Sequence, residues 1–270
     1  MIAFPNAKIN LGLNITEKRP DGFHNLETVF IPVKWCDVLE FVAADELQMT
    51  STGIGISVPM ESNLVIRAYR LLQKDYGLPG LKIHLHKTIP FGAGLGGGSS
   101  DAAFMLRLLN KTFELELSED KLLELAAVLG SDCPFFIVNK PVYATGRGEI
   151  MNIINLNINA KFILLVKPPI EVSTAKAFQF VVPKKSTVSL VESLSLPLPE
   201  WKDKVINHFE PSVFQQYPEI GYLKQKLYDL GAEYASMSGS GSCVFGLFNQ
   251  LPLHWERHFP ADYLTYSQQF

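Results

Sequence analysis

Alternating apolar and polar residues predict several strands in the first half of the chain. Over residues 7–15, AKINLGLNI, an apolar residue stands at every second position from Ile9 to Ile15, which predicts a half-buried strand. Because side chains two positions apart share a face, Lys8 and Asn10 are expected together on the face turned away from the core. Further strands are predicted over 26–33, 38–42 and 81–89.

Capping residues and helical spacing predict the helices. Ser62 is expected to cap a helix that ends near Gly77, and Ser118 to open another that ends at Gly130. Further predictions are a helix over 100–110, a strand over 162–166, a helix over 219–230, a strand pair within 236–248, and a loop with one short helix over 182–201. At 270 residues the chain is long enough for roughly two domains.

Composition and charge narrow the class of protein. A net charge of −3 gives no positive field for nucleic acid. The three widely spaced cysteines fit neither a disulfide framework nor a zinc site, so we expect free thiols and a cytoplasmic location. Neither a signal peptide nor a membrane-spanning run is indicated. His84 and His86 share a strand face, but without a nearby carboxylate or cysteine they are a poor metal site.

The segment PFGAGLGGGSSDAA, residues 90–103, carries the clearest chemical signal. Five glycines in seven positions let backbone N–H groups turn toward one point, and the predicted helix that follows presents its N-terminus to the same place. Anions bind at such sites. The hydroxyls of Ser99 and Ser100 can meet phosphate or Mg²⁺. A phosphate-binding loop is therefore predicted, with a flexible linker as the alternative.

Two other glycine motifs compete with this interpretation. The segment lacks the Gly-Lys-Ser/Thr ending of a Walker A loop. It formally matches G-x-G-x-x-G at Gly92, Gly94 and Gly97, but a dinucleotide-binding unit requires a strand with a terminal acidic residue after the helix. The next predicted element here is another helix. Neither the Walker A nor the dinucleotide-binding interpretation is favoured.

Three segments together resemble a known family. Residues 90–103 resemble the second motif of the GHMP kinase superfamily, whose members phosphorylate small molecules. PNAKINLGL, residues 5–13, is similar to the first motif, and SMSGSGSCVFGLF, residues 236–248, to the third. The resemblance implies an α+β GHMP kinase fold. Its N-terminal ATP-binding domain, similar to ribosomal protein S5 domain 2, would cover 1–158, and a ferredoxin-like domain would cover 159–270.

A narrower resemblance concerns the acceptor. Residues 7–30 are similar to the N-terminal signature of one branch of the family, with Phe23 where tyrosine is usual, and GSDCPFFI, residues 130–137, resembles its catalytic segment. This branch implies ATP- and Mg²⁺-dependent phosphorylation of the 2-hydroxyl of 4-diphosphocytidyl-2-C-methyl-D-erythritol in non-mevalonate isoprenoid biosynthesis. A homoserine or mevalonate type of kinase would have no use for the segment Asp21–His24. A non-catalytic nucleotide- or RNA-binding protein is disfavoured by the acidic balance and by the retention of Lys8 and Asp132.

The resemblance also assigns roles to residues. Asp132 would be the base and Lys8 its cationic partner, although a turn aspartate and an exposed strand lysine are the alternatives on residue patterns alone. The ATP site would comprise Asn63, Pro90, Gly92, Ala93, Gly94, Leu95, Gly96, Gly97, Gly98, Ser99 and Ser100. The Mg²⁺ ligands are not assigned, and Ser100 is a candidate. The acceptor site would comprise Asn10, Phe23, His24, Phe178, Gly239 and Gly241.

Each of the remaining assignments has a structural alternative. Phe23 and Phe178 would sandwich the cytosine ring, but Phe178 also fits core packing at helical spacing. Asn63 fits a helix cap, and Gly239 with Gly241 fits a simple hairpin turn. The expected partner is a small molecule, with no nucleic acid and no membrane, and the expected state is a monomer or weak homodimer.

Overall fold

The computed structural model describes residues 1–56, 58–185 and 188–270. The strands in these residues are β1 (Ile2–Ala3), β2 (Asn6–Lys18), β3 (His24–Cys36), β4 (Val38–Ala44), β5 (Gln48–Gly53), β6 (Gly80–Lys87), β7 (Val142–Thr145), β8 (Ile150–Ile153), β9 (Phe162–Lys167), β10 (Tyr234–Met237), β11 (Val244–Phe248) and β12 (Leu264–Gln269). The α-helices are α1 (Leu64–Tyr76), α2 (Gly97–Thr112), α3 (Glu119–Leu129), α4 (Cys133–Val138), α5 (Thr174–Phe180), α6 (Leu190–Leu194), α7 (Glu210–Gln216) and α8 (Pro218–Asp229).

The chain forms two compact units that interleave along the sequence. The first unit contains Met1–Lys8, Pro32–Pro90 and Gly96–Lys140, and the second contains Ile9–Ile31, Phe91–Leu95 and Pro141–Phe270. The glycine-rich segment is therefore shared, because its first half belongs to the second unit and its helical half to the first. The domain boundary between residues 158 and 159 stays a prediction.

The first unit is built on a four-stranded sheet in the order β1-β4-β6-β5. The predicted alternation of β6 is confirmed, since Ile83 and Leu85 are buried and His84 lies on the opposite face. The imidazole nitrogens of His84 lie 2.9 Å from the Thr50 hydroxyl and 3.0 Å from the Thr52 hydroxyl. In the described ranges, no group of three or more histidine, cysteine or acidic side chains could hold a metal ion.

Asn63 caps the first helix, so the prediction of a Ser62 cap is wrong. Ser62 already belongs to a 3₁₀ turn, whereas Asn63 has the extended backbone of an N-cap, and its side chain accepts from the Val65 amide at 2.9 Å. The predicted end of α1 is confirmed, because Gly77 has a left-handed φ of 63°.

The other two predicted helices of the first unit also form. Ser118 caps α3 through the Lys121 amide at 3.2 Å, and α3 ends before Gly130 as expected. Helix α2 begins three residues earlier than expected, at Gly97 instead of residue 100. The reason is that Gly96, at a φ of 70°, ends the loop and its carbonyl accepts the first helical hydrogen bond from Ser100.

The second unit contains two four-stranded sheets, in the orders β2-β3-β7-β8 and β10-β11-β9-β12. The predicted strand over 162–166 is β9, the predicted strand pair is the antiparallel pair β10 and β11, and the predicted helix over 219–230 is α8. Apolar side chains of the second sheet and of α7 and α8 form its core, which includes Leu164, Val166, Val213, Leu223, Leu227, Val244 and Phe248. The predicted loop over 182–201 contains the short helix α6, and its residues 186 and 187 lie outside the described ranges.

Strand β2 is buried on both faces, so the prediction of a half-buried strand is wrong. Its polar residues Lys8, Asn10 and Asn14 are only 4%, 2% and 5% exposed. Buried polar groups need hydrogen-bond partners, and the side-chain nitrogen of Asn10 donates to the Thr28 hydroxyl at 2.9 Å. The alternation therefore marks a polar interior surface instead of a solvent face.

The structure can be compared with the expectations about cysteines and membrane-spanning segments. The three cysteines are free thiols, with Cys133 and Cys243 buried and Cys36 half-buried. Of the helices in the described ranges, none has the length and apolar character needed to cross a membrane.

A buried ion cluster anchors α2 within the first unit. The Lys87 ammonium bonds the carboxylate of Asp37 and lies 2.7 Å from Asp101 Oδ2 on α2. Asp37 Oδ1 also accepts from the Thr88 and Ile89 amides at 2.6 and 2.9 Å. Burial raises the pKa of Asp101 to about 7. One cation therefore holds two carboxylates in the interior, and it ties α2 to β6 and to the turn between β3 and β4.

Removal of the central cation should destabilise the protein. Lys87→Met leaves two carboxylates buried without it, and breaking a buried pair costs about 3–5 kcal/mol. We expect this loss in urea unfolding at pH 8. We also expect the loss of unfolding free energy in Lys87→Met to be smaller at pH 6 than at pH 8. A buried carboxyl with a raised pKa binds a proton in the folded state, so the stability of the variant falls as the pH rises. The control is Lys121→Met, which removes an exposed pair with Glu124. Equal stability of the two variants would contradict the role of the cluster.

Candidate active site

Lys8 and Asp132 form an ion pair in the first unit. Asp132 occupies the N-cap position of α4, but its side chain makes no capping hydrogen bond. Its Oδ2 lies 3.5 Å from the Lys8 Nζ, with the side chains 36% and 5% exposed, respectively. Burial lowers the pKa of Lys8, and the charge of Asp132 opposes this effect. The carboxylate thus has a cation on one side and solvent on the other.

The helical half of the glycine-rich segment lies against this pair. A Cβ placed on Gly96 would lie 2.9 Å from Phe136 Cζ and 3.2 Å from Lys8 Cγ, so only glycine permits the close approach. The amides of the first turn of α2 have no acceptor within the helix and carry partial positive charge. The electropositive start of α2 therefore lies beside the ion pair of Lys8 and Asp132.

Ser100 has a feature that fits a bound cation. Its side chain is fully buried, and its Oγ has no hydrogen-bond partner in the described part of the chain. A Mg²⁺ ion usually takes few protein ligands and several phosphate or water oxygens. The residues therefore fit Mg²⁺ held mainly by nucleotide phosphates. Asn63, assigned to the ATP site, uses its side-chain oxygen to cap α1.

The first half of the glycine-rich segment is hydrogen-bonded to the third motif within the second unit. The Ser238 hydroxyl donates to the Gly94 carbonyl at 2.8 Å. The amides of Ser242 and Cys243 donate to the carbonyls of Gly92 and Ala93 at 3.1 and 3.2 Å. A Cβ on Gly94 would overlap the Ser238 carbonyl oxygen. The two glycine motifs therefore form one hydrogen-bonded structure here.

Asn10 adjoins the same structure. A Cβ on Gly239 would lie 3.5 Å from the Asn10 Oδ1. Thr28, which accepts from the Asn10 amide, donates in turn to the Gly12 carbonyl at 2.6 Å. Asn10 is thus a fixed, buried side chain next to the third motif.

The aromatic residues of the expected cytosine site form two separate contacts. His24 and Phe178 stack with ring centroids 5.0 Å apart, and Phe178 meets Phe209 edge-on at 4.8 Å. Phe23 is 53% exposed, and the Arg147 guanidinium lies 4.9 Å from its ring centroid. Burial lowers the pKa of His24, which favours the neutral imidazole. The sandwich of cytosine between Phe23 and Phe178 stays a prediction.

Hydrogen bonds fix the turn that carries Phe23. The Arg19 guanidinium binds both carboxylate oxygens of Asp21, at 2.8–3.1 Å. Asp21 Oδ1 accepts from the Phe23 amide at 3.1 Å, and the Arg19 amide donates to the Phe23 carbonyl at 2.8 Å. These bonds close a turn over residues 19–23, in which Gly22 adopts a φ of 85°.

Sequence reasoning missed several residues that support these sites. Thr28 and Phe136 lie inside segments 7–30 and 130–137 but were given no role there, and Arg147 lies in none of the segments. The contacts of all three are with segments distant in sequence. Ser238 lies inside the third motif, so its serine-glycine alternation was a usable signal.

Comparison with known proteins identifies the class. The model described as GHMP kinases N terminal domain matches residues 63–140, and the model described as GHMP kinases C terminal matches 197–253. The chain belongs to the GHMP kinase family, and the expected α+β GHMP kinase fold is confirmed.

Its relatives narrow the position within that family. A protein of Bacteroides thetaiotaomicron named 4-diphosphocytidyl-2-C-methyl-D-erythritol kinase is 55% identical over 92% of both chains. Its namesake from Parabacteroides distasonis is 52% identical over 95% of this chain and 94% of its own. The crystal structure of a 4-(cytidine 5'-diphospho)-2C-methyl-D-erythritol kinase matches with a TM-score of 0.85, 31% identity, and 100% and 98% coverage. The Methanococcus jannaschii mevalonate kinase, with a TM-score of 0.71 at 12% identity and 100% and 98% coverage, shares the fold.

Gly96→Ala should destabilise the protein more than Gly98→Ala. The first change combines a left-handed φ with overlap of Phe136, and such crowding costs about 1–3 kcal/mol. The second introduces a methyl group within α2, 3.9 Å from Leu64 Cδ1, and should be neutral or stabilising by about 0.4–1 kcal/mol. Urea unfolding of both variants without ligand checks this. Equal stabilities would show that Gly96 is not required for backbone reasons.

Proposed function

We propose that this protein is an ATP-dependent kinase that phosphorylates the 2-hydroxyl of 4-diphosphocytidyl-2-C-methyl-D-erythritol in non-mevalonate isoprenoid biosynthesis. The observation that carries the proposal is the Lys8–Asp132 pair beside the start of α2. Support for the acceptor comes from relatives at 52% and 55% identity that bear this kinase's name. The free thiols support a cytoplasmic enzyme, and we infer a monomer or weak homodimer.

The nucleotide is assigned to the glycine-rich segment. The amides at the start of α2 would hold its phosphates, and each N–H bonded to a charged phosphate oxygen contributes about 1.5–3 kcal/mol. The ATP residues named from the sequence keep this role in the proposal, with Asn63 contributing through the start of α1. Mg²⁺ would neutralise part of the triphosphate charge, and Ser100 is the residue assigned to it.

Asp132 is assigned as the general base. Its carboxylate would accept the proton of the acceptor hydroxyl while that oxygen attacks the γ-phosphorus and ADP leaves. Lys8 would hold the carboxylate through their ion pair and stabilise negative charge on the transferred group. The solvent-open side of Asp132 supports access by the acceptor. General-base assistance contributes a factor of about 10²–10⁴.

The acceptor is assigned to residues of the second unit. Stacking on Phe23 and Phe178 would hold the cytosine ring, at about 1–3 kcal/mol per ring. His24 would read the base edge as a neutral imidazole, which its lowered pKa supports. Asn10 would bond the substrate hydroxyls. Gly239 and Gly241 would let the backbone approach the diphosphate.

Asp132→Asn should bind ATP and acceptor but lose turnover by about 10²–10⁴-fold, because the amide cannot accept the proton. Steady-state ADP release measures turnover, and calorimetry measures binding of each ligand. The control is Asp120→Asn, which alters an exposed carboxylate in the first turn of α3. Near wild-type turnover in Asp132→Asn would contradict the base assignment.

Phe23→Ala should weaken binding of the cytidyl substrate by about 10–100-fold through lost stacking, with ATP binding unchanged. Phe23→Tyr keeps the ring and should bind like wild type. Phe180→Ala, at a 58% exposed ring of α5, is the matched control. Equal weakening of both ligands in Phe23→Ala would rule out the stacking role.

The choice of acceptor is tested by one substrate panel. Purified protein is incubated with ATP and, separately, with the cytidyl substrate, homoserine or mevalonate, and ADP release is measured. We expect turnover with the cytidyl substrate alone. Preferred turnover of homoserine or mevalonate would place the chain with another branch of the family, and no turnover of any would favour a non-catalytic nucleotide-binding protein.

A further inference from the structure

The third glycine motif connects β10 to β11 through a buried loop, Ser238–Cys243. Backbone hydrogen bonds occupy most amides of this loop. The Ser238 amide donates to the Cys243 carbonyl and the Gly241 amide to the Ser238 carbonyl, both at 2.9 Å. The amides of Ser242 and Cys243 donate to the glycine-rich segment. Within the described part of the chain, the amides of Gly239 and Ser240 have no acceptor.

These two consecutive amides have the geometry of an anion site. Gly239 has a positive φ of 55°, and successive N–H groups around such a residue form a concave nest that binds anions. The Ser240 side chain is only 7% exposed, and its hydroxyl pairs with the Thr174 hydroxyl at 2.9 Å. The Ser240 side chain is therefore tied to the first residue of α5.

Asn207 binds one carbonyl at the end of β10 and one in this loop. It is 2% exposed, and its amide nitrogen donates to the carbonyls of Met237 and Gly239, each at 2.8 Å. Its side-chain oxygen accepts from the Phe209 amide at 3.0 Å. Both hydrogen-bonding ends of the side chain are engaged, so its orientation is set.

The backbone around Asn207 is set as well. The amide of Leu13 donates to the Ile206 carbonyl, and the amide of His208 donates to the Leu13 carbonyl, both at 2.8 Å. These bonds pair the residues on either side of Asn207 with β2. The side chain of Asn207 therefore projects from a fixed backbone toward the loop.

The hydrogen bond of Asn207 to the Gly239 carbonyl also sets the direction of the Ser240 N–H group. In a trans peptide the C=O and N–H groups point to opposite sides of the chain. Because Asn207 binds the Gly239 carbonyl, the Ser240 amide of the same peptide points away from Asn207. The Ser238 carbonyl is held by the Gly241 amide in the same way, which directs the Gly239 amide.

We propose that Asn207 is a positioning residue that aims the Ser240 amide at a phosphate group of the acceptor substrate. The inference rests on the proposed function, because that function supplies an acceptor with a diphosphate. Asn207 does not touch the ligand and acts through the peptide between Gly239 and Ser240. Loss of its donor leaves that peptide free to rotate, and the amide then loses its charge-assisted hydrogen bond.

The test separates binding of the acceptor from turnover. Asn207→Leu keeps the approximate size and removes the donor without adding charge. We expect the KM for 4-diphosphocytidyl-2-C-methyl-D-erythritol to rise about 10–100-fold, with kcat and the KM for ATP within about three-fold of wild type. Asn207→Ala should behave alike. The control is Ser236→Ala, which removes a hydrogen bond from β10 to Glu210 and should leave every KM unchanged.

The outcomes distinguish this inference from the function on which it rests. A folded Asn207 variant with wild-type KM for the acceptor, or with an equal rise for ATP, overturns the positioning role. If the wild-type enzyme fails to turn over the cytidyl substrate, the proposed function fails instead.

A measurement on the wild-type protein covers the cases in which the variants do not fold or turnover is absent. Amide hydrogen exchange should show Gly239 and Ser240 exchanging faster than Ser238 without ligand. Added inorganic pyrophosphate should slow both. Unchanged exchange of these two amides with pyrophosphate overturns the inference.

Discussion

The buried contact of Lys87 with Asp101 fixes where helix α2 begins. Asp101 lies one turn into α2, so the ion pair holds the helix start, with its unpaired amides, at one position against β6. Gly96, directly before this helix, lies close to Lys8 and Phe136. The ion pair of Lys8 and Asp132 lies next to this helix start. Burying Lys87, Asp37 and Asp101 costs desolvation free energy. In return, their ion pairs hold the start of α2 in place.

The polar face of β2 shows what periodicity can and cannot predict. Alternation identified the strand and the shared face of Lys8 and Asn10, since both follow from side-chain geometry alone. It could not identify what covers that face. Burial of Asn10 depends on Thr28, eighteen residues away, and burial of Lys8 on Gly96 and Asp132. Such partners are brought together by the fold and leave no trace in the local pattern.

The site divides in the same way. The glycine segments stand out by their residue pattern, because so many glycines between a strand and a helix have few uses. Lys8 and Asp132 were singled out only by the family resemblance, because an exposed strand lysine and a turn aspartate fit the same patterns. Asn207 and Arg147 could not be identified from sequence, since single polar residues outside a motif are common on any surface. The helix cap was placed one residue too early for a related reason: Ser62 and Asn63 are both good caps, and only the backbone angles distinguish them.

The hydrogen bond between Ser238 and Gly94 affects how the two motifs can be recombined between related proteins. The two motifs lie 144 positions apart, yet the backbone of each occupies space that a side chain on the other would need. They therefore behave as one module with two distant halves. A chimera that takes its third motif from a relative with another acceptor would need the matching residues 91–95 from the same donor, and a shuffled library should yield active members mainly where both halves share a parent.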